Sequence, residues 1–140
     1  MASRAVSLHN GAITATTTTG TANLGPNRGV VLMVGVSAAA TTGTLDIRFE
    51  HIINPNDAVD SGWTTLITFP QVVIVSSVVG PNARQSVVIM DTAGGVTEDY
   101  DATPAAGVLS MGGVGDRLRV VMTMASITTV TLSVSAAAII

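Results

Sequence analysis

The last 21 residues carry no charge and are mostly apolar, which allows two structures that exclude each other. They read VVMTMASITTVTLSVSAAAII, from Val120 to Ile140. About 20 apolar residues are enough to cross a bilayer as a helix. However, the apolar residues of VTLSVSA alternate with threonine and serine, which is the period of a half-buried strand. The segment is therefore predicted to form β-structure rather than a membrane span.

The same alternation extends towards the N-terminus of this segment. In RLRVVMTM, the residues Leu118, Val120, Met122 and Met124 share one face. The short polar segment ASIT, residues 125–128, separates the two alternating runs. Two such runs joined by a few polar residues are typical of a β-hairpin. We therefore predict a hairpin with its turn at residues 125–128.

Charge is scarce throughout the chain. Asp, Glu, Lys and Arg make up 11% of the 140 residues, against about 25% in an ordinary soluble domain. Lysine is absent, the net charge is −3 and no basic cluster occurs, which argues against nucleic-acid binding by phosphate neutralisation. Cysteine is also absent, which excludes disulfides and thiolate chemistry. A surface so poor in charge is a solubility risk for a free monomer, so we expect hydroxyl groups and burial in an assembly to shield it.

Short strand-like segments, punctuated by Gly, Pro and Asn, account for most of the chain. No stretch shows a capped helical period. The eight candidate strands are residues 12–18, 30–37, 44–51, 63–69, 72–79, 84–91, 117–124 and 129–136. The pattern predicts an all-β fold, either an antiparallel β-sandwich or a jelly-roll-like barrel of about eight strands.

The chain divides by composition into two parts. The first 29 residues are low in complexity and include a TTTT run, so we expect residues 1–29 to form an extended N-terminal arm. Residues 30–140 are expected to form a single β-sandwich domain. Within this domain the Gly-rich and acidic residues 92–115 predict a long loop excursion.

Two candidate strands, VVLMVGVS and VVIVSSVV, are apolar on both faces. A strand of a two-layer sandwich has one core face, so a second apolar face needs a loop, an arm or a neighbouring subunit over it. Loops of the same chain and a neighbouring subunit are equal alternatives at this point.

The sequence lacks the usual patterns of catalytic and metal-binding residues. The two histidines, His9 and His51, have no partners at the spacing of a nucleophile or zinc motif. The acidic segments NPNDAVDSG and TEDYD do not have the spacing of an EF-hand. Trp63 is expected to pack at the end of the sheet, with an exposed sugar-stacking role as the alternative. We therefore expect no enzyme activity, no cofactor and no metal site.

Four segments follow one another in an order that resembles a known pattern. They are TLDIRFEH, then WTTLITF after a turn-rich insert, then GDRLRVVMTM and TVTLSVSAAA. This order is similar to that of small virion proteins of tailed bacteriophages, in which a strand ending in Glu-His or Gln-His leads to a Trp strand, an Arg-Leu-Arg-Val strand and a final Thr/Ser-alternating strand. The likeness covers residues 44–69 and 112–138. It departs from the pattern at IINPNDAVDSG, where a Ser-Pro-Asp-Gly type of turn is usual.

This resemblance implies an auxiliary capsid protein that decorates or cements the outer surface of a bacteriophage head, commonly as a homotrimer. The implied partners are the major capsid protein and further copies of the chain. The implied location is the capsid surface of the virion, after synthesis in the host cytoplasm. A head-completion or tail-associated protein is the neighbouring alternative, and a carbohydrate-binding or adhesive β-sandwich module is the alternative from another class.

Partner contacts are expected in the arm and at the C-terminus. An arm can add a strand to the exposed edge of a partner's sheet, and apolar terminal side chains are costly to leave in water. Neither nucleic acid nor a membrane is expected as a partner. The candidate contact residues are Arg4, Val6, Leu8, Ile13, Leu24, Arg28, Ile139 and Ile140.

Overall fold

The computed structural model describes residues 3–24, 29–52, 63–80, 82–90, 96–98 and 117–139. Within these ranges the chain forms β-strands and no helix, so the prediction of an all-β fold is confirmed. None of the described residues belongs to a helix that could cross a membrane. The strands are β1 (Ser3–Ile13), β2 (Thr17–Thr18), β3 (Ala22–Asn23), β4 (Gly29–Ile52), β5 (Trp63–Thr68), β6 (Val72–Val75), β7 (Val78–Val79), β8 (Arg84–Met90), β9 (Val96–Glu98) and β10 (Arg117–Ile139).

Two very long strands form the centre of the sheet. β4 has 24 residues and β10 has 23, and they pair antiparallel from Gly29 opposite Ile139 to Ile52 opposite Arg117. The predicted hairpin at residues 125–128 is therefore wrong, because the two runs around it are parts of one strand. The candidate strands 30–37 and 44–51 likewise join into β4.

Irregular pairing in the middle of β4 and β10 explains why the polar segment does not reverse the chain. The register shifts on both sides of Ile127 and again before Leu132. Thr41 and Ser126, which lie in this region, have φ angles of 71° and 64°. Such bulges bend and twist a strand without ending it. A short polar interruption of an alternating pattern thus marks a bend here.

The bend also changes which residues of β4 face the core. In its first part Val30, Leu32 and Val34 are buried, whereas in its second part Leu45 and Phe49 are buried. These positions differ in parity, so a strand of strict period two would put the two sets on opposite faces. The extra residues at the bulges shift the alternation of the strand, so that the apolar side chains of both parts face the core.

The strands group around the two parts of the long pair. The first layer contains the first part of β4 and the second part of β10, flanked by β1 on one side and by β8 and β9 on the other. The second layer contains the remaining parts of the long pair, flanked by β2 and β3 on one side and by β5, β6 and β7 on the other. Buried side chains of both layers form one contiguous core.

This arrangement is an antiparallel, sandwich-like fold in which two strands pass from one layer to the other at bulges. Among the described strands the sheet runs in the order β1-β10-β4-β6-β7 and does not close on itself. The sandwich alternative is therefore the one that the structure supports, rather than the closed barrel.

The expected N-terminal arm is found as part of the sheet. β1 pairs antiparallel with β10, from Ser3 opposite Ile139 to Ile13 opposite Val130, with a bulge between Ser7 and His9. Residues 3–13 therefore form an edge strand of the chain's own first layer. The physical reason is that this strand has an apolar face of its own, which packs against the core.

The predicted loop at residues 92–115 falls largely outside the described residues. The part that is described, β9 (Val96–Glu98), pairs antiparallel with β8.

Gly43 lies where β4 bends past β10. A Cβ atom at this position would overlap the carbonyl oxygen of Ala125 and would lie 2.8 Å from the amide nitrogen of Ile127. Both obstacles are backbone atoms, which cannot rotate away. Glycine is therefore required here for close approach of the two strands.

We expect Gly43→Ala to lower the free energy of unfolding by about 2 kcal/mol or more, because the added methyl group forces the central pair of strands apart. Urea unfolding followed by circular dichroism measures the change. Gly20→Ala is the matched control, since a Cβ there meets no atom within 4 Å. Equal stability of the two variants would show that the bend has room for a side chain.

Candidate functional site

The hairpin of β6 and β7 presents an apolar patch to solvent. Val73, Val75 and Val78 are 39%, 57% and 66% exposed. Val75 and Val78 are directly opposite each other in the hairpin, whereas the alternate residues Val72 and Ile74 are fully buried. We call Val73, Val75 and Val78 the valine patch.

Hydrogen bonds fix the turn of this hairpin to the bend of β4. The amide of Ser77 donates to the carbonyl oxygen of Thr41 at 2.9 Å, and the amide of Thr41 donates to Oγ of Ser77 at 3.0 Å. The amide of Ser76 donates to Oγ1 of Thr42 at 2.9 Å. Ser76 and Ser77 have φ angles of 47° and 66°, which suit a two-residue turn but are unfavourable for residues other than glycine. The hydroxyl contacts offset that cost and hold the valine patch in place.

The base of the hairpin is also held. The side-chain amide of Gln85, which is 3% exposed, donates to the carbonyl oxygens of Pro70 at 3.0 Å and Asn82 at 2.9 Å. The side-chain amide of Asn82 in turn donates to the carbonyl oxygen of Gln71 at 2.9 Å. These bonds connect the start of β8 in the first layer to the hairpin of the second layer.

The outer face of the first layer carries mostly small side chains. Gly35 lies between Ser133 of β10 and Arg84 of β8, and in the next row Met33 lies between Ser135 and Ser86. These residues line an open groove of about 490 Å³. Met33 is 40% exposed. The groove is thus a shallow surface of serine hydroxyls around one flexible apolar side chain, with Arg84 as its charged lining residue.

A buried carboxylate organises the outer face of the second layer. Arg119 and Glu50 are directly opposite each other on β10 and β4. Nε of Arg119 donates to one oxygen of Glu50 at 2.8 Å, and Nε of Arg48 donates to the other at 3.2 Å. Partial burial acts to raise the pKa of Glu50, but the hydrogen bonds and positive charges of Arg119 and Arg48 outweigh it, so the pKa lies below its ordinary value.

Trp63 belongs to the same cluster. The guanidinium carbon of Arg119 lies 4.3 Å from the centre of the indole ring, which is a cation–π contact. Trp63 is brought there because it pairs with Ile52 at the end of β4. One face of the indole is therefore already covered. The expectation that Trp63 packs at the end of the sheet agrees with this position.

His51 is fully buried near the end of β4, and burial lowers its pKa. His9 lies on the edge strand β1, where its Nε2 is 3.0 Å from the carbonyl oxygen of Gly11. Within the described part of the chain, no three His, Cys, Asp or Glu side chains come together as a metal site. Of the two acidic segments, NPNDAVDSG and TEDYD, only residues 97 and 98 lie within the described part of the chain.

Several predicted contact residues are buried within the chain itself. Ile13 is 5% exposed, Leu24 is fully buried and Ile139 is 8% exposed. In the folded chain β1, β10 and the residue after β3 use these apolar side chains to complete the core, so contact of the three residues with a partner stays a prediction. Val6 and Leu8 are only partly buried at the edge.

The remaining predicted contact residues are Arg4, Arg28 and Ile140. Arg4 lies in β1 opposite Ala138. Arg28 and Ile140 lie outside the described residues.

Sequence reasoning did not select the valine patch or Met33 as contact residues. The signal was nevertheless present, since VVIVSSVV and VVLMVGVS are apolar on both faces. In the first run the outward valines remain exposed, and in the second run Met33 does. Both runs therefore leave apolar side chains that the described chain does not cover.

No protein-family model, no curated protein and no solved structure matches this chain.

We expect Glu50→Gln to lower the free energy of unfolding at neutral pH by about 1–2 kcal/mol, because two arginines lose their common carboxylate. A carboxyl with a lowered pKa stabilises the fold above its ordinary value of 4.5, and this stabilisation is lost as the pH falls through the folded-state pKa. The difference in free energy of unfolding between wild type and Glu50→Gln should therefore become smaller in acid. Asp46→Asn is the control, because Asp46 is on the same face and accepts hydrogen bonds from Gln71. An equal decrease in the free energy of unfolding of Glu50→Gln and Asp46→Asn would point to a general effect of removing a negative charge.

His51 predicts a second pH dependence. Its folded-state pKa lies below the ordinary value of 6.5, so the unfolded chain binds the proton more readily and stability falls as the pH drops below about 6.5. Urea unfolding of the wild type between neutral pH and pH of about 5 should show this loss. The slope of the free energy of unfolding against pH should be smaller in His51→Leu than in the wild type, whatever the absolute stability of the variant. An unchanged slope would mean that His51 does not titrate differently on folding.

Proposed function

We propose that the chain is a structural virion protein that decorates or cements the outer surface of a bacteriophage capsid, with the major capsid protein as its partner. The observation that supports this most directly is the valine patch, an exposed apolar surface fixed to the centre of the fold. The order of segments that resembles small virion proteins of tailed bacteriophages supplies the class of partner.

The valine patch suits contact with another protein because its position is fixed before binding. Its turn is hydrogen-bonded to the backbone of Thr41 and to the side-chain hydroxyl of Thr42 at the bend. A pre-organised surface loses little conformational freedom on binding. Contact therefore needs no rearrangement of the β6–β7 hairpin.

Covering the valine patch removes apolar surface without burying a charge. No residue from Val72 to Gly80 is charged, and the turn between the exposed valines is Ser76-Ser77. Each half-exposed valine contributes about 1 kcal/mol when covered, so one patch gives about 3 kcal/mol. Such a contact is weak alone, but a symmetric shell repeats it many times and adds the contributions.

The low charge of the whole chain fits the same role. Protein–protein contacts lose free energy when isolated charges are desolvated, and only 11% of the residues are charged. In the described salt bridges, Arg48 and Arg119 are both paired with Glu50 of the same chain. A shell protein can therefore approach large areas of the hydroxyl-rich surface at low electrostatic cost.

The alternatives receive less support from the arrangement of side chains. A sugar-stacking role for Trp63 would need an open indole face, and Arg119 occupies one of the two. A head-completion or tail-associated role uses the same kind of apolar contact and differs only in the partner.

We expect the wild-type protein to co-sediment with shells of the virus that encodes it, once the protein has been removed from those shells. The double variant Val75→Ser, Val78→Ser should bind at least about tenfold more weakly, since it loses roughly half or more of the apolar contribution of the patch. Met33→Ser is the matched control, because it removes an exposed apolar side chain from the other layer. Thermal melting of each variant checks that the fold is retained.

Two outcomes would contradict the proposal. Shell binding that is unchanged in the double variant would remove the valine patch from the contact. Failure of the wild type to bind shells, together with its absence from purified particles by mass spectrometry, would reject the role in the virion.

A further inference from the structure

The edge strand β1 has an unpaired side. Among the described strands β1 pairs only with β10, so the main-chain groups that point away from β10 have no strand beside them in the described part of the sheet. β1 is 11 residues long, which is long for an exposed edge. Such an edge is a template for pairing with another strand.

The usual features that protect an edge strand are sparse here. Proteins block exposed edges with lysine, proline, inward-pointing charges or bulges. β1 contains no lysine or proline, and its one permanent charge is Arg4, near one end. A bulge between Ser7 and His9 also interrupts the regular pairing of the strand, and Gly11 has a positive φ of 139°.

The core is incomplete along this edge. Val6 and Leu8 pack against the core but stay partly exposed, whereas Ile13 at the end of the same strand is buried. A strand added beside β1 would cover the sides of Val6 and Leu8. The edge therefore offers apolar contact as well as main-chain hydrogen bonds.

We propose that β1 pairs with β1 of a second copy of this chain, antiparallel and around a two-fold axis near Ser7. In this register Val6 lies opposite Leu8 of the second copy, and each half-buried apolar side chain gains an apolar neighbour. Directly opposite residues of antiparallel strands interact favourably when both are apolar. The first layers of the two copies then form one continuous sheet.

The lack of charged residues along most of β1 favours a second copy of the chain as the partner of this edge. Identical chains repel each other when like charges meet, but residues 5–13 carry no Asp, Glu, Lys or Arg. With the axis at Ser7, Arg4 lies opposite Asn10 of the second copy. The two Arg4 residues are then six positions apart along the strands, which is about 20 Å. This exceeds the screening length of about 8 Å at physiological salt.

This inference does not depend on the proposed function, because the pairing involves only copies of the chain. It differs from the homotrimer that the resemblance implies, since a two-fold edge contact closes with two copies. Light scattering on the purified wild type should give twice the chain mass of 14.1 kDa. A mass of one chain or of three chains would overturn the proposal.

Single cysteines test the register, and the chain contains none that would confuse the result. Under mild oxidation Ser7→Cys should form a disulfide-linked dimer, because opposite Cα atoms in an antiparallel pair lie about 5 Å apart. Ala5→Cys should not, since its two copies would be about 14 Å apart. Ser133→Cys, on the same face of the neighbouring strand, is the control. Linking of Ala5→Cys as efficiently as Ser7→Cys, or no linking of Ser7→Cys, would overturn the register.

A charge on the edge provides a test that does not need oxidation. Ser7 is exposed, so Ser7→Lys should leave the fold intact and reduce the mass in solution to that of one chain. Ser133→Lys should retain the doubled mass. Circular dichroism shows that both variants are folded. A dimer that persists in Ser7→Lys would show that the copies join elsewhere.

Discussion

The antiparallel pairing of β4 with β10 is the interaction on which the rest of the structure depends. Each of the remaining strands except β7 and β9 pairs directly with one of these two, and the buried residues of the core come largely from them. The pair is longer than one layer needs, so it bends, and the bend creates two layers from one sheet. Close backbone approach at Gly43 is the local condition for this bend.

The alternation of apolar and hydroxyl residues was sufficient to predict the all-β fold and most of the strand segments. It was not sufficient to predict connectivity at the bend. A turn and a bulge both interrupt period two with a few polar residues, and only the partner strand decides between them. The residues of β4 that pair with ASIT lie more than 80 positions earlier in the sequence, and β4 has extra residues of its own in this region that keep the two strands paired. Thr41 and Ser126 adopt positive φ angles, which the sequence does not indicate because neither residue is a glycine.

The sequence-based choice of contact residues did not include the exposed apolar side chains that the structure shows. The termini were chosen because an extended arm can add a strand to a partner's sheet and because apolar terminal side chains are costly to leave in water. However, β1 and the end of β10 pair with each other and bury Ile13 and Ile139. The better signal was an apolar residue on the wrong face of a strand, as in VVIVSSVV. Burial cannot be read from such a run by itself, because both faces look alike until the sheet order shows which face meets the core. That order places Val72 and Ile74 inside and leaves the valine patch outside.

The sheet order also separates the two proposed contacts. β1 and β7 are at opposite ends of the order β1-β10-β4-β6-β7, so pairing through β1 leaves the hairpin of β6 and β7 open. Two copies joined at β1 would therefore present two valine patches in one dimer. Once one patch is bound, the second is held near its own target at a high effective concentration, and two weak contacts become one strong attachment. A protein with little charge and modest apolar patches can in this way bind a repeating surface firmly while each single contact remains weak.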